Sequence, residues 1–264
     1  MKQVLAIDIG GTNVVFATVN ETGKISHKNS LPTNQFLSAE KLAEKIHMEL
    51  NNELKNISAI GIGAPNGNYY NGCIEFAPNL PWKGKILLAE IFKNRFGVEC
   101  VITNDANAAA LGEKIFGGAK NITDFIFITL GTGVGSGIFC SGKLLYGHDG
   151  LAGEIGHVIV EKDGRPCGCG RKGCLETYCS AGGFVTTYLE LSNHEIATKI
   201  SAEEIYKMAL AGNIAALQTF DYTAQVLGLA LANSAAYTNP EAVFIFGGLA
   251  QAGNLLLNPL KKYV

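Results

Sequence analysis

Phe125-Ile-Phe-Ile-Thr-Leu-Gly-Thr-Gly-Val-Gly-Ser-Gly137 is the stretch whose reading decides the fold. The apolar and β-branched run Phe125–Leu130 predicts a buried strand, and the glycines after it force a tight turn before a further strand at Ile138–Ser141. The opening of the chain follows the same plan. Val4–Ile9 leads into Gly10-Gly11, then come strands at Val14–Val19 and Ile25–Leu31, parted by Glu21-Thr-Gly23. A recurring strand–glycine turn–strand unit predicts two related α/β halves, placed at residues 1–104 and 105–264 with the joint near residues 104–120.

The intervening segments fit that plan. Leu42, Ile46, Leu50 and Leu54 recur at helical spacing within Ser38–Leu54. Ser58–Ala64 predicts a strand stopped by Pro65, Gly84–Phe96 a helix, Glu99–Thr103 a strand, and Asp105–Phe116 an alanine-rich helix. The second half predicts helices at Leu175–Leu191, Ala202–Ala211 and Ile214–Thr238. A strand at Ala242–Phe246, the pair Gly247-Gly248 and a helix near Asn254–Tyr263 follow.

Composition narrows the function. Of 264 residues, 47% are hydrophobic and 17% charged, which is ample for a sizeable core, and 32 glycines exceed the usual share of about 7%. A formal charge of −2 argues against nucleic acid or an anionic membrane as the main partner. Lys2-Gln3 leads straight into a strand-like run rather than a signal peptide, and no apolar run reaches membrane-span length. Seven cysteines with no export signal then predict reduced thiols and metal binding in the cytoplasm.

Three of those thiols lie together in Cys167-Gly-Cys169-Gly-Arg-Lys-Gly-Cys174, downstream of Gly153-Glu-Ile-Gly-His157. His157, Cys167, Cys169 and Cys174 make a Cys₃His set, the pattern of a closed, structural zinc site. A glycine-rich or disulfide-linked surface loop is the alternative, although C-x-C thiols pair poorly. Cys73, Cys100, Cys140 and Cys179 read as isolated core cysteines. A metal here would also fix Glu154 and Glu176, which flank the set.

The first glycine turn is Asp8-Ile-Gly10-Gly11-Thr12-Asn13. Its glycines let backbone N–H groups approach an anion, Thr12 adds a hydroxyl, and Asp8 suits Mg²⁺. An ordinary hairpin has the same local pattern. Gly131-Thr132-Gly133 repeats the chemistry in the second half, so the pair predicts a nucleotide clamped between two lobes, with Gly247-Gly248 placed for adenine or ribose. Asn104-Asp105 reads two ways, as an Asp N-cap or as a catalytic carboxylate at a strand end, kept ionised by the helix dipole. Glu154 and Glu176 are acceptors suited to the hydroxyls of a neutral polyol. His157 can bind metal through one nitrogen and donate through the other, and Asn79 offers an amide. Trp82 reads as packing.

Taken in order, Asp8-Ile-Gly-Gly-Thr-Asn13, Asn104-Asp105, Leu130-Gly-Thr-Gly-Val-Gly-Ser-Gly137, Gly153-Glu-Ile-Gly-His157 and Cys167-x-Cys-Gly-x-x-Gly-Cys174-Leu-Glu176 resemble the ROK family of repressors, open reading frames and kinases. The resemblance spans essentially the whole chain, and the knuckle with its upstream histidine is its most specific part. It implies an actin-like ATPase fold of two ribonuclease-H-like α/β lobes with a nucleotide cleft, and ATP-dependent phosphorylation of a hexose at its 6-hydroxyl. Asp105 would be the base; Asn79, Asn104, Glu154, His157 and Glu176 would hold the other hydroxyls. Gly10, Gly11, Thr12, Gly131, Thr132 and Gly133 would embrace the phosphates of ATP. Gly247 and Gly248 would lie near the adenosine, and zinc would be bound by His157 and the three cysteines. Glucose is the leading substrate. Kinases for fructose, allose, N-acetylmannosamine or N-acetylglucosamine are the alternative, chosen through the loop Ala64-Pro-Asn-Gly-Asn68. Family repressors add an N-terminal helix-turn-helix, whereas this chain starts at its first strand; a sensor without turnover is the remaining reading. The resemblance also implies a homodimer or homotetramer, and a closing helix beyond a segment like Leu255–Val264, where the sequence ends.

Overall fold

The structure is a computed structural model that describes residues 2–51, 53–76, 79–192 and 199–264. Asn52, inside the first expected helix, and residues 77–78, just before Asn79, lie outside the described residues. Contacts divide the chain into two compact units, Met1–Lys120 with Tyr146–Ala152, and Asn121–Leu145 with Gly153–Val264.

The first unit is built on five strands: β1 (Gln3–Ile9), β2 (Asn13–Asn20), β3 (Ile25–Pro32), β4 (Ile57–Gly63) and β7 (Glu99–Thr103). Their order is β3-β2-β1-β4-β7. The glycine turn makes β2 antiparallel to β1, while β4 and β7 run parallel to β1 and β4 through helical crossovers. Helices α1 (Ala39–Glu49) and α2 (Leu88–Phe96) supply those crossovers. Ser38 caps α1 by accepting from Lys41 N at 3.4 Å, and Gly97, with φ 71°, ends α2 in the left-handed conformation glycine favours. Leu5, Ile7, Ile60 and Ile62 alternate inward and bury themselves among Leu42, Ile46 and Phe92. A small hairpin of β5 (Gly67–Asn68) and β6 (Cys73–Ile74) follows β4.

Helix α3 (Asp105–Phe116) starts directly after β7. The sequence pattern assigns it to the second half; its contacts lie in the first unit, where Ala108 stands over Gly63 of β4. The chain therefore divides after Lys120 rather than after Asn104. Residues 146–152 also return to the first unit. There Tyr146 stacks on Tyr69 with centroids 4.3 Å apart, and Asn68 Nδ2 donates to Asp149 O at 2.6 Å.

The second unit carries β8 (Phe125–Leu130), β9 (Val134–Cys140), β10 (Lys143–Leu144) and β11 (Ala242–Phe246), ordered β10-β9-β8-β11 with β11 parallel to β8. Strand β9 starts immediately after Gly133, earlier than expected, because Gly135 and Gly137 pair with Thr129 and Phe127 of β8 instead of extending the turn. Helices α4 (Glu176–Cys179), α5 (Ala181–Ser192), α6 (Ala202–Leu210), α7 (Ile214–Thr238) and α8 (Asn254–Leu260) share one apolar cluster with this sheet. The helix expected at Leu175–Leu191 is two, parted at Ser180, whose extended backbone (φ −75°, ψ 165°) interrupts it. Ile126, Ile128 and Ile138 pack against Phe184, Phe220 and Leu227 in the core of this unit. Among the described residues no helix is long and apolar enough to cross a membrane.

Gly67 shows how closely the first unit is fitted. A Cβ there would lie 2.5 Å from Thr103 O, at the end of β7. Gly67→Ala is expected to lower the free energy of unfolding by about 1–3 kcal/mol, the usual cost of overpacking, as read by urea denaturation.

Candidate active site

In the first unit, five of the expected elements come together at the C-terminal ends of β1, β4 and β7. Asp8 is the penultimate residue of β1, and Gly10 to Thr12 form the turn after the strand, tied by Gly10 N donating to Asn13 O at 2.9 Å. Thr33 buttresses the turn. Its hydroxyl donates to Gly10 O at 2.7 Å and its N–H to Thr12 O at 2.8 Å. A Cβ on Gly11 would stand 3.0 Å from Asn79 O, so Asn79 lies directly over the turn.

Asn104 and Asp105 follow β7. The N-cap of α3 is Asn104, not Asp105: Asn104 Oδ1 accepts from Ala106 N at 2.8 Å, and Asp105 Oδ1 shares the same N–H at 2.8 Å. Capping engages the Asn104 oxygen and leaves its NH₂ as a donor, while Asp105 opens the helix from an exposed position. Above Gly63 this first turn meets Asp8. A Cβ on Gly63 would be 3.6 Å from Asp105 Cα and 3.9 Å from Asp8 Oδ1. Burial, and then the charge of Asp105, raise the Asp8 pKa above the usual carboxylate value. Two carboxylates held in repulsion form a donor set that fits a divalent cation such as Mg²⁺.

In the second unit the expected residues also converge. Gly131 to Gly133 turn between β8 and β9, with Gly131 N donating to Gly133 O at 3.0 Å and Ala181 N, at the start of α5, donating to Gly131 O at 2.8 Å. Glu176, first residue of α4, lies against this loop. Its Oε2 accepts from Val134 N at 3.1 Å, and a Cβ on Gly133 would be 2.5 Å from that oxygen. A side chain at 133 would displace the Glu176 carboxylate. Gly247, with φ 102°, packs onto the end of β8, where a Cβ would meet Leu130 O at 2.3 Å; the turn at Gly247 and Gly248 thus sits beside the Gly131 loop. Glu154 is exposed and precedes a 3₁₀ turn at Ile155–His157, which His157 N closes by donating to Glu154 O at 3.0 Å. Ser136 Oγ donates to Gly153 O and accepts from Ile155 N at 3.1 Å, pinning this segment to β9.

The four candidate metal ligands form a cluster whose ligand atoms all lie within 4.8 Å of one another. Cys167 Sγ is 3.6 Å from His157 Nδ1, and the sulfurs of Cys169 and Cys174 are 3.7 Å apart. A tetrahedral zinc with bonds of about 2.0–2.3 Å demands edges of roughly 3.5–3.8 Å, so the residues fit the ion. All seven cysteines are free. The Arg171 side chain beside Cys169 pulls its pKa down to about 6, whereas burial pushes that of Cys174 up to about 12. Nδ1 is the His157 nitrogen that faces the sulfurs, with Nε2 on the other side of the ring. Cys167 Sγ is also 4.0 Å from Glu176 Oε1, so cluster and carboxylate are immediate neighbours.

The sequence profile of the ROK family matches residues 4–264. The chain belongs to the ROK family. It is 36% identical to a glucokinase of Halalkalibacterium halodurans, across 98% of this chain and 84% of that one. It is 30% identical to a putative xylose repressor of Caldicellulosiruptor, across 99% of this chain and 69% of that one. Among solved structures it resembles a ROK family glucokinase from Streptomyces griseus in complex with glucose and AMPPNP. The TM-score is 0.81 and the identity 33%, covering 99% of this chain and 88% of that one. The fold of this ROK protein is accordingly the actin-like ATPase fold, one sheet-and-helix half per unit.

Thr33, Ser136 and the contact of Asn79 with Gly11 were not legible in the sequence. Ser136 is the best signalled of these, as a lone hydroxyl on a buried strand.

Asp8 gives a signed expectation. A raised carboxylate pKa in the folded state costs stability, a cost absent below the ordinary carboxylate range and complete above the raised value. Asp8→Asn is expected to raise the melting temperature of the nucleotide-free protein at pH 7, with the gain vanishing as pH falls through the carboxylate range; thermal scans at several pH values check this.

Proposed function

We propose that this ROK protein is an ATP-dependent hexose kinase that phosphorylates the 6-hydroxyl of glucose. The supporting observation is the pairing, in each unit, of a glycine loop with a carboxylate: Gly10 to Thr12 with Asp8 and Asp105, and Gly131 to Gly133 with Glu176. The likeness to glucokinases, one solved with glucose and an ATP analogue, directs the reading to glucose and ATP.

In this reading Asp105 accepts the proton of the 6-hydroxyl as the γ-phosphoryl group is transferred. Asn79, Asn104, Glu154, Glu176 and His157 Nε2 hold the remaining hydroxyls and fix the attacking oxygen in line. Backbone N–H groups of Gly10, Gly11, Thr12, Gly131, Thr132 and Gly133 take the phosphates, and Gly247 with Gly248 receives the adenosine. Asp8 would hold Mg²⁺, which would supply positive charge against the phosphates. His157, Cys167, Cys169 and Cys174 would hold a structural zinc that keeps Glu176 and His157 in place. We further propose a homodimer or homotetramer, working in the cytoplasm.

A coupled assay of ADP release across glucose, fructose, allose, N-acetylmannosamine and N-acetylglucosamine tests the reading. Glucose is expected to give the highest kcat/KM; absence of turnover with every hexose sinks it. Asp105→Ala is expected to lower kcat by at least about 10²-fold, the lower range for a general base, with glucose affinity within about twofold by calorimetry. Zinc removal by a chelator is expected to weaken glucose binding more than ATP binding, compared by calorimetry on the same sample; equal loss makes the knuckle a general stabiliser.

A further inference from the structure

Arg165, two residues before the first cysteine of the knuckle, is tied by its side chain to five residues, and the proposed chemistry gives it no role. Its side chain is 15% exposed. Its guanidinium donates to Thr177 O at 2.8 Å, Gly183 O at 3.0 Å and Thr187 Oγ1 at 2.9 Å, and pairs with Glu190. It also lies over the Tyr178 ring, 4.5 Å from the centroid, while Arg165 N donates to Tyr178 Oη at 3.0 Å.

These partners have one place in common. Thr177 and Gly183 lie on either side of Ser180, where the helix breaks into α4 and α5. One guanidinium nitrogen, Nη1, bridges the carbonyls of both pieces, while Nη2 reaches Thr187 and Glu190 farther along α5; a single ammonium cannot meet all four partners at once. Glu176 sits immediately before Thr177, on a single helical turn too short to hold its own geometry. Ala181, whose N–H holds Gly131 O, lies just beyond the break. The backbone of Arg165 is tied in turn to the knuckle, because Gly173 N donates to Arg165 O at 2.8 Å.

We infer that Arg165 is a positioning residue for substrate binding: it splints the α4–α5 break and so holds the Glu176 carboxylate at the angle that receives a sugar hydroxyl. The inference rests on the kinase reading of the site. Loss of the splint leaves the four metal ligands and Asp105 untouched, so it weakens sugar binding without removing zinc or the base.

The test is a double-mutant cycle on the full chain. Arg165→Met is expected to weaken glucose binding about tenfold, the lower range for removing a residue behind a ligand group, with kcat within about threefold of the parent. It retains one zinc per chain by metal analysis, and Arg165→Lys behaves like Arg165→Met. In a Glu176→Gln background, Arg165→Met adds less than about twofold, because the residue it acts through is already altered. A full tenfold effect in that background overturns the inference, as does loss of zinc or rescue by lysine. If Arg165→Met fails to fold, Glu190→Gln removes only the 55% exposed partner and is expected to weaken glucose binding by about two- to threefold, again only when Glu176 is present; no change overturns the inference. A parent protein that neither binds nor phosphorylates any hexose removes the kinase reading and this inference with it. A parent that does both, with Arg165→Met unchanged, removes the inference alone.

Discussion

The contact between the Glu176 carboxylate and the Gly131–Gly133 loop is the constraint around which the second unit is arranged. Oε2 accepts the Val134 N–H, and a Cβ on Gly133 would stand 2.5 Å from it. One carboxylate thus belongs both to the turn that would meet phosphate and to the group that would meet a sugar. Everything adjacent serves to hold it. The knuckle sulfur of Cys167 stands 4.0 Å from the other oxygen, Ala181 secures the loop from the far side of the helix break, and Arg165 spans the break itself. A carboxylate on one turn of helix has little rigidity of its own, so its precision comes from these neighbours.

The first unit solves a different problem with similar parts. Asp8 is held by a strand end and Asp105 by the helix that starts just beyond another, and five paired strands carry both. Rigidity has an electrostatic consequence: Asp8 is held close to Asp105, and partial burial first, then that charge, raises its pKa. Thr33, Asn79 and the cap at Asn104 contribute by fixing backbone, which is where a phosphate would be bound.

Much of this was readable in one dimension wherever the signal was local. The strands at Glu99–Thr103 and Phe125–Leu130 and the helix at Ile214–Thr238 lie where the apolar pattern puts them. The Cys₃His cluster follows from spacing alone. Local patterns failed where glycine or a single residue has two uses. Gly135 and Gly137 look like turn residues and are strand residues, because the neighbouring β8 supplies their hydrogen bonds. Ser180 lies inside an apolar helical pattern and still breaks it. Asn104 and Asp105 are equally good caps on paper, and the backbone geometry selected Asn104.

By itself, then, the amino-acid order determined two α/β halves, two glycine loops, a Cys₃His knuckle and the set of carboxylates beside them, since each depends on residues close in the chain. Only tertiary structure decided which partners those residues have. It set Asn79 over Gly11, Asp105 near Asp8, Glu176 on Gly133, and Arg165 across the α4–α5 break. It also placed α3 with the first unit, because Ala108 packs on Gly63 of a strand far earlier in the chain. The reason is physical: spacing and propensity act over one or two turns, whereas these contacts join segments whose approach is settled by the packing of whole sheets and helices.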